Sequence, residues 1–500
     1  MKLNRLILIL GIGCILTGCN KNEGVEHPNL IVFLVDDMGV MDTSVPFLTD
    51  SLGHSVRHPL NDFFRTPNME DLATRGTRFS SFYAMSVCSP TRISMMTGMN
   101  PARHHSTTWI APFNNNRGDF GPPEWNWEGI SEAEATLPGI LAAAGYRTIH
   151  VGKAHFGPKG VPGADPQKIG FDVNIAGNYI GHPGSYYGID SFTNRPDNPL
   201  HLRAVPDLEA YHGQDINLTD ALTLEAIKEL DKAVDAGQPF FLSLAHYAVH
   251  APFMPHMEFI SNYDESGKQE SVRSFASMIE SMDSSLGKVL AHLDEKGIAE
   301  NTLVLFLGDN GSDMPGSDHD SIESAEPLRG KKGTRWEGGI RVPFIAAWAR
   351  PDSAEMTQTR FPILKGAVET DLGNICDIYP TLLQAAGIFK SAADGISLAP
   401  YLRGEEGTHR PQEFLMHFPH QHRNSYFTLF IRNEWKVIYH YLDQEYELYD
   451  LDSDPTESEN LATSNPERLR LMAAAMMEAL EAGGALYPVK NGAELVPALP

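Results

Sequence analysis

Two nearly uninterrupted apolar runs, residues 30–35 and 302–307, read as strands buried on both faces, because a strand wetted on one side alternates instead. Each run ends in short polar residues: Asp36-Asp37 after the first, Gly308-Asp309-Asn310-Gly311 after the second. Between them, residues 136–145 predict a helix feeding a strand at 146–151, and 220–236 a helix feeding a strand at 239–245. A further helix at about 274–296 leads into the second run. Such alternation predicts an α/β fold, a large and mainly parallel sheet sandwiched by helices. In these sheets ligands gather outside the carboxyl ends of the strands. Asp36, Asp37, Lys153, His155, Asp309 and Asn310 all fall there.

The pattern changes twice further on. Residues 157–215 are rich in Gly, Pro, His and Tyr with weak periodicity, and are expected as long loops over the site. Beyond about 390, short segments at 426–431, 435–441 and 446–451 joined by tight turns predict an antiparallel sheet. Ser464-Asn465-Pro466-Glu467 reads as a capping box opening a helix to about residue 482. The expected division is an N-terminal domain at 29–389 and a smaller C-terminal α+β subdomain at 390–500.

The first residues carry a different signal. Lys2 and Arg5 precede an apolar stretch at 6–16, then Leu16-Thr17-Gly18-Cys19 looks like a lipobox. Residues 1–19 are therefore expected to be a lipoprotein signal peptide, with Cys19 bearing lipid and 20–28 a tether. No later stretch has the roughly 18 apolar residues of a spanning helix. This predicts an exported bacterial lipoprotein anchored to a membrane by its acyl chains, periplasmic or at the cell surface. Losing Lys2 and Arg5 takes the formal charge from −25 to −27, which argues against nucleic acid as a partner. A polyanionic substrate would then need a local positive pocket, which screening over about 8–10 Å permits.

The most specific element is Cys88-Ser89-Pro90-Thr91-Arg92, followed by a short helical stretch to Thr97-Gly98. Ser89 suits an N-cap, Pro90 the first helical position and Gly98 a left-handed stop, so Cys88 is expected just outside a helix N-terminus. Free N–H groups there favour anions. Helical side chains lean toward the N-terminus, so Arg92 is expected to reach position 88. The plain alternative is a buried cysteine before a proline-started helix. With this flank, however, C-x-P-x-R resembles the modification element of the formylglycine-dependent sulfatases of the alkaline phosphatase superfamily. The resemblance implies that a formylglycine-generating maturation enzyme oxidises Cys88 to an aldehyde. Its hydrate would attack a sulfate ester and later expel sulfate by collapsing to the carbonyl.

Paired acidic residues at strand ends supply the hard oxygen ligands that calcium takes. Either pair alone is more often a turn, whereas two pairs on one sheet point to a metal. The resemblance implies that Asp36, Asp37, Asp309, Asn310 and residue 88 hold one Ca2+. Three carboxylates against a doubly charged ion leave about −1, so a sulfate ester needs further cations, which Arg92, Lys153 and Lys332 can provide. Gly152-Lys153-Ala154-His155-Phe156-Gly157 resembles the family's G-K-x-H-x-G segment, with Ala154 where tryptophan is common. Pleating would send 153 and 155 one way and 154 the other. Leu328-Arg329-Gly330-Lys331-Lys332-Gly333 resembles L-R-G-x-K-G, and its register makes Lys332 the sulfate-binding lysine. His250 matches the histidine at the leaving group, so it is expected as general acid, with His155 helping to deprotonate the hydrate. Met99 stands where Arg or Lys usually follows Thr-Gly.

The resemblance spans about residues 28–462 and implies a sulfatase acting on a sulfated carbohydrate. The segments within 152–187 look most like sulfatases of galactose-type sugars, with a lean to O4. Two alternatives stand beside it: a phosphonate or phosphate monoester hydrolase using the same modified residue, and a non-catalytic glycan-binding surface lipoprotein.

Overall fold

Eight strands form the central sheet: β1 (Asn29–Val35), β2 (Gly76–Phe79), β3 (Arg147–Gly152), β4 (Val173–Ile175), β5 (Phe240–His246), β6 (Thr302–Gly308), β7 (Phe344–Trp348) and β8 (Ala367–Glu369). The computed structural model that shows them describes residues 27–194, 203–389, 393–405 and 412–500, so the expected signal and Cys19 lie outside the described residues. The strand order is β4-β3-β5-β1-β6-β7-β2-β8. Only β7 runs against the others, antiparallel to both β6 and β2. The sheet is thus mainly parallel, as the alternating pattern predicts.

The register explains why distant residues meet. Val35 of β1 lies opposite His246 of β5 and Gly308 of β6, while Gly152 of β3 lies opposite Ala245. Four strands therefore end level, and residues 36–37, 153, 247–250 and 309–310 leave the sheet along one edge.

Strand β1 is wholly buried because its alternate residues feed two cores. Ile31, Phe33 and Val35 pack into one, Leu30, Val32 and Leu34 into the other. Each such side chain contributes about 1.5–3 kcal/mol on burial. Six helices matter for the site: α1 (Cys88–Thr97), α2 (Leu137–Ala143), α3 (Leu218–Asp235), α4 (Glu270–Glu295), α5 (Ile378–Ala385) and α6 (Pro466–Gly483). Helices α3 and α4 cover the first core, and α1, α2 and α5 the second.

The C-terminal sheet, β9 (Glu413–Phe418), β10 (Phe427–Arg432), β11 (Trp435–His440) and β12 (Glu445–Asp450), is antiparallel. Its strands also alternate between two layers. Phe427, Leu429 and Ile431 join the second core of the large sheet, whereas Phe430, Val437 and Leu448 pack with Leu469, Met472 and Met476 of α6. The C-terminal sheet is thus a layer between α6 and the large domain.

Three local expectations are corrected. Helix α1 begins at Cys88 itself, with Val87 extended before it and no side-chain cap. Ser89 does not cap because its Oγ is taken by the Ile110 N–H at 3.1 Å. Asn465, not Ser464, caps α6, accepting from the Arg468 N–H at 3.4 Å. Within the loops over the site, residues 173–175 form an edge strand of the main sheet. Gly98 does end α1 in the left-handed region, φ 70°, its N–H bonded to the Ser94 carbonyl at 2.7 Å.

Candidate active site

The level strand ends bring three carboxylates together. One oxygen from each of Asp36, Asp37 and Asp309 lies within 4.8 Å of the others, and all three residues are fully buried. Asp37, at φ 62°, turns the chain so that its own N–H donates to Asp309 Oδ1 at 3.0 Å. Asn310 Nδ2 donates to Asp37 Oδ1 at 3.0 Å, which leaves Asn310 Oδ1 buried with no hydrogen-bond partner. Asp36 Oδ1 is likewise without one. An orphaned buried acceptor costs about 1–3 kcal/mol. Oxygen-only donors with unsatisfied lone pairs fit a hard divalent cation.

The two loops carrying these ligands are stitched by a residue that no motif marks. Asp42 accepts from the Gly39 N–H at 2.8 Å and from Ser312 Oγ at 3.0 Å. Gly39 has to be glycine, since a Cβ there would sit 2.5 Å from the Ser312 nitrogen. Burial pushes Asp42 up to about 8.

Three cations stand against the three carboxylates. Lys153 Nζ lies 2.6 Å from Asp36 Oδ2, and Lys332 Nζ 2.6 Å from Asp37 Oδ1. Arg92 is fully buried. Its Nε and Nη2 both sit 2.8 Å from Asp309 Oδ2, and Nη1 donates to the Lys153 carbonyl at 2.7 Å. The bonds to Asp309 are charge-assisted; burial would lower the guanidinium pKa, and Asp309, Asp36 and Cys88 together raise it. Burial raises Asp36 even though Lys153 opposes it. Burial acts the same way on Asp37, but His250 when protonated, and Lys332, outweigh it and hold the carboxyl well below its usual range; burial in turn pulls His250 well below its ordinary pKa although Asp37 opposes. Burial would lower Lys332, and Asp37 reverses that.

Residue 88 faces these groups from the start of α1, beside His155. Nε2 of His155 is 2.8 Å from the Ile110 carbonyl, which can only accept, so Nε2 carries the hydrogen. Nδ1 therefore presents a lone pair to Cys88 Sγ and Ser89 Oγ, each at 3.3 Å. Burial holds this imidazole well below its ordinary pKa, and Lys153 adds to the effect. The neutral ring is a proton acceptor aimed at residue 88. His250 has the opposite arrangement: Nδ1 donates to the Ala251 carbonyl at 2.9 Å, and Nε2 lies 3.7 Å from Asp37 Oδ2. His182 stacks on its ring at 5.1 Å and 5°.

Lys153 and His155 turn to the site while Ala154 enters the second core, as pleating predicts, although the segment is a loop with His155 at φ 57°. Lys331 Nζ donates to the Met314 carbonyl at 2.8 Å, away from the carboxylates, so Lys332 alone of the two reaches them.

Four of these groups, Cys88, His155, His250 and Lys332, line one cleft of about 440 Å³, and Lys332 and His250 link it to the buried carboxylates through Asp37. Its walls add residues the sequence did not single out, among them Trp109, His182, Asp313, His422 and Arg423. A larger groove of about 790 Å³ beside α3 and α4 contains none of the strand-end residues.

Comparison with known proteins agrees with this geometry. The sulfatase family profile matches residues 28–388, and that of the N-sulphoglucosamine sulphohydrolase C-terminal region matches residues 335–482. The chain belongs to the sulfatase family. This sulfatase is 30% identical over 419 residues to N-acetylgalactosamine-6-sulfatase of Canis lupus familiaris, covering 81% of this chain and 71% of that one. It is 26% identical over 554 residues to N-acetylgalactosamine-6-O-sulfatase of Bacteroides thetaiotaomicron, covering 94% and 97%. Among solved structures, that titled Ps i-CgsB superposes with a TM-score of 0.70 at 25% identity, over 91% of this chain and 93% of the other. The chain is thus a sulfuric ester hydrolase, in a family that generally uses formylglycine and a metal ion.

Proposed function

We propose that this sulfatase removes sulfate from a galactose-type amino sugar in a glycan, using formylglycine derived from Cys88 and one calcium ion. The observation that carries the reading is the gathering of three buried carboxylates, two orphaned oxygens and three cations beside a cleft lined by residue 88, His155, His250 and Lys332. Relatives named as N-acetylgalactosamine-6-sulfatases favour O6 over the O4 expected from the 152–187 segment.

Asp36, Asp37, Asp309 and Asn310 would hold the calcium, which when bound would draw charge from a sulfate oxygen. Formylglycine at 88 would supply, as its hydrate, the hydroxyl that attacks sulfur. His155 accepts a proton through Nδ1 from the hydroxyl at 88, because Ile110 fixes its tautomer. Lys153 and Lys332 neutralise charge on the incoming sulfate. Arg92 acts by orienting Asp309. His250 stands on the cleft side of Asp37 and donates to the departing sugar oxygen once the sulfate's charge favours its protonated form.

Export as a lipoprotein anchored through Cys19 belongs to the same proposal, because extracellular glycans reach such a protein. Among the described residues no helix is long and apolar enough to cross a membrane.

The test is the mass of the peptide spanning Cys88 from the native host, together with sulfate release from 4- and 6-sulfated N-acetylgalactosamine. Conversion to the aldehyde lowers the mass by about 18 Da. An unmodified thiol in fully active enzyme would refute the nucleophile. Faster turnover of phosphate than of sulfate esters would move the enzyme to phosphate chemistry.

A further inference from the structure

Beside Lys332 the cleft wall is made by a charged pair that neither attack nor proton transfer uses. Asp313 follows the Asp309-Asn310 ligands, and Arg423 sits on the turn between β9 and β10. They meet end-on, Nη1 to Oδ1 at 2.6 Å and Nη2 to Oδ2 at 3.0 Å. Arg423 Nη1 also donates to the Lys332 carbonyl at 2.9 Å.

Both residues line the same cleft as Cys88, and their side chains keep 11% and 23% of their exposure, so the pair is open to a ligand. Those bonds use both Nη1 hydrogens and one on Nη2. A guanidinium has five, so a second Nη2 hydrogen and that on Nε remain. Asp313 Oδ2 accepts from Arg423 and has a further lone pair. A donor and an acceptor thus stand side by side, which is the complement of a hydroxyl group. The Trp109 ring, 6.3 Å from that of His422, adds an apolar surface of the kind that packs on the C–H face of a pyranose.

We infer that Asp313 and Arg423 form the sugar-reading element of this sulfatase: together they hold a ring hydroxyl near the sulfated carbon while Trp109 supports the ring. The inference rests on the proposed glycan sulfatase reading and deepens it. It gives the C-terminal subdomain a share in substrate choice, since Arg423 comes from that subdomain and Asp313 from the large one.

The test is a discrimination ratio. The probe is whichever of 4- and 6-sulfated N-acetylgalactosamine turns over faster, with its monodeoxy analogues lacking each remaining ring hydroxyl in turn. The wild type is expected to prefer the parent over one analogue by about 10- to 100-fold in kcat/KM. Asp313→Asn and Arg423→Lys should each collapse that ratio to within about threefold. Both substrates are measured on the same sample, so a partly unfolded variant leaves the ratio intact. With the folded fraction of each variant fixed by circular dichroism, an unchanged ratio with an equal loss per folded molecule on parent and analogue would reduce the pair to a brace for Lys332 and overturn the inference. A wild type that accepts every deoxy analogue as well as the parent would overturn it too. Failure of the glycan reading looks different: the wild type then hydrolyses neither sulfated sugar, no ratio exists, and this inference falls with it.

Discussion

Two clusters of buried charge differ in how completely they satisfy themselves. At the strand ends, Asp36, Asp37 and Asp309 face Arg92, Lys153 and Lys332, yet neither Asp36 Oδ1, 3.7 Å from Arg92 Nη2, nor Asn310 Oδ1 has a hydrogen-bond partner. Between the large domain and the C-terminal sheet, Glu337 and Glu457 close around Lys436, whose Nζ lies 3.1 Å from Glu337 Oε1 and 2.7 Å from Glu457 Oε1. There Tyr83 donates to Glu337 Oε2 at 2.8 Å and the Glu337 N–H to Glu457 Oε2 at 2.7 Å, so three of the four carboxylate oxygens are hydrogen-bonded and the fourth, Glu457 Oε1, has no hydrogen bond but lies 2.7 Å from the Lys436 ammonium. The closed cluster fastens two layers together. The open one keeps lone pairs in reserve, as a binding site must. Buried charge alone is thus a poor guide to function; two orphaned acceptors gathered beside a candidate nucleophile are a better one.

Asp309→Asn tests this contrast most severely. It keeps the shape, removes a charge from the open cluster, and should lower kcat/KM by at least about a thousandfold. Added calcium should raise the wild-type Tm and leave that of the variant nearly unmoved, by calorimetry. Near-normal turnover would remove Asp309 from the site.

Lys436→Met should do the reverse in the closed cluster. Two carboxylates lose their cation in a site that is 0% exposed, at a cost of about 3–5 kcal/mol in denaturant unfolding. Turnover per folded molecule should change less than about threefold, because no group at the cleft is touched. A variant as stable as wild type but inactive would erase the distinction between the clusters.

The smallest effect is a dependence on pH. Burial pushes Glu457 up to about 7 from an ordinary 4.5, although Lys436 opposes it. Between those values the folded state binds a proton that the unfolded chain has released. The stabilisation is whole below about pH 4.5 and fades as pH rises toward 7, by up to about 3 kcal/mol. Glu457→Gln should flatten that part of the curve of Tm against pH. An unchanged slope would assign it to another group.

Much of the open cluster was legible because long apolar runs mark buried strands, and the residue after such a run stands at a sheet edge. Register then did the rest, and no local signal carries register between strands as far apart as β1 and β6. Arg92 shows the limit. Helix geometry leans it toward residue 88, but nothing near it in the chain announces the carboxylate 217 positions away that it also binds. The Asp313–Arg423 pair spans 110 positions with no motif around either residue. Strand β9 was missed because its Phe-Leu-Met core lacks the alternation that marks its neighbours, although it packs like them. Ser89 looked like a cap until the Ile110 amide claimed its hydroxyl.

The start of α1 has one further consequence, for timing. Ser89, Thr91 and Arg92 are completely hidden and Cys88 is 3% exposed, against a core that the C-terminal sheet helps to complete. Any catalyst that must grip those side chains to oxidise the thiol has to arrive while the polypeptide is still immature. Once the last strands have docked, those side chains are closed to such a catalyst unless the segment opens again.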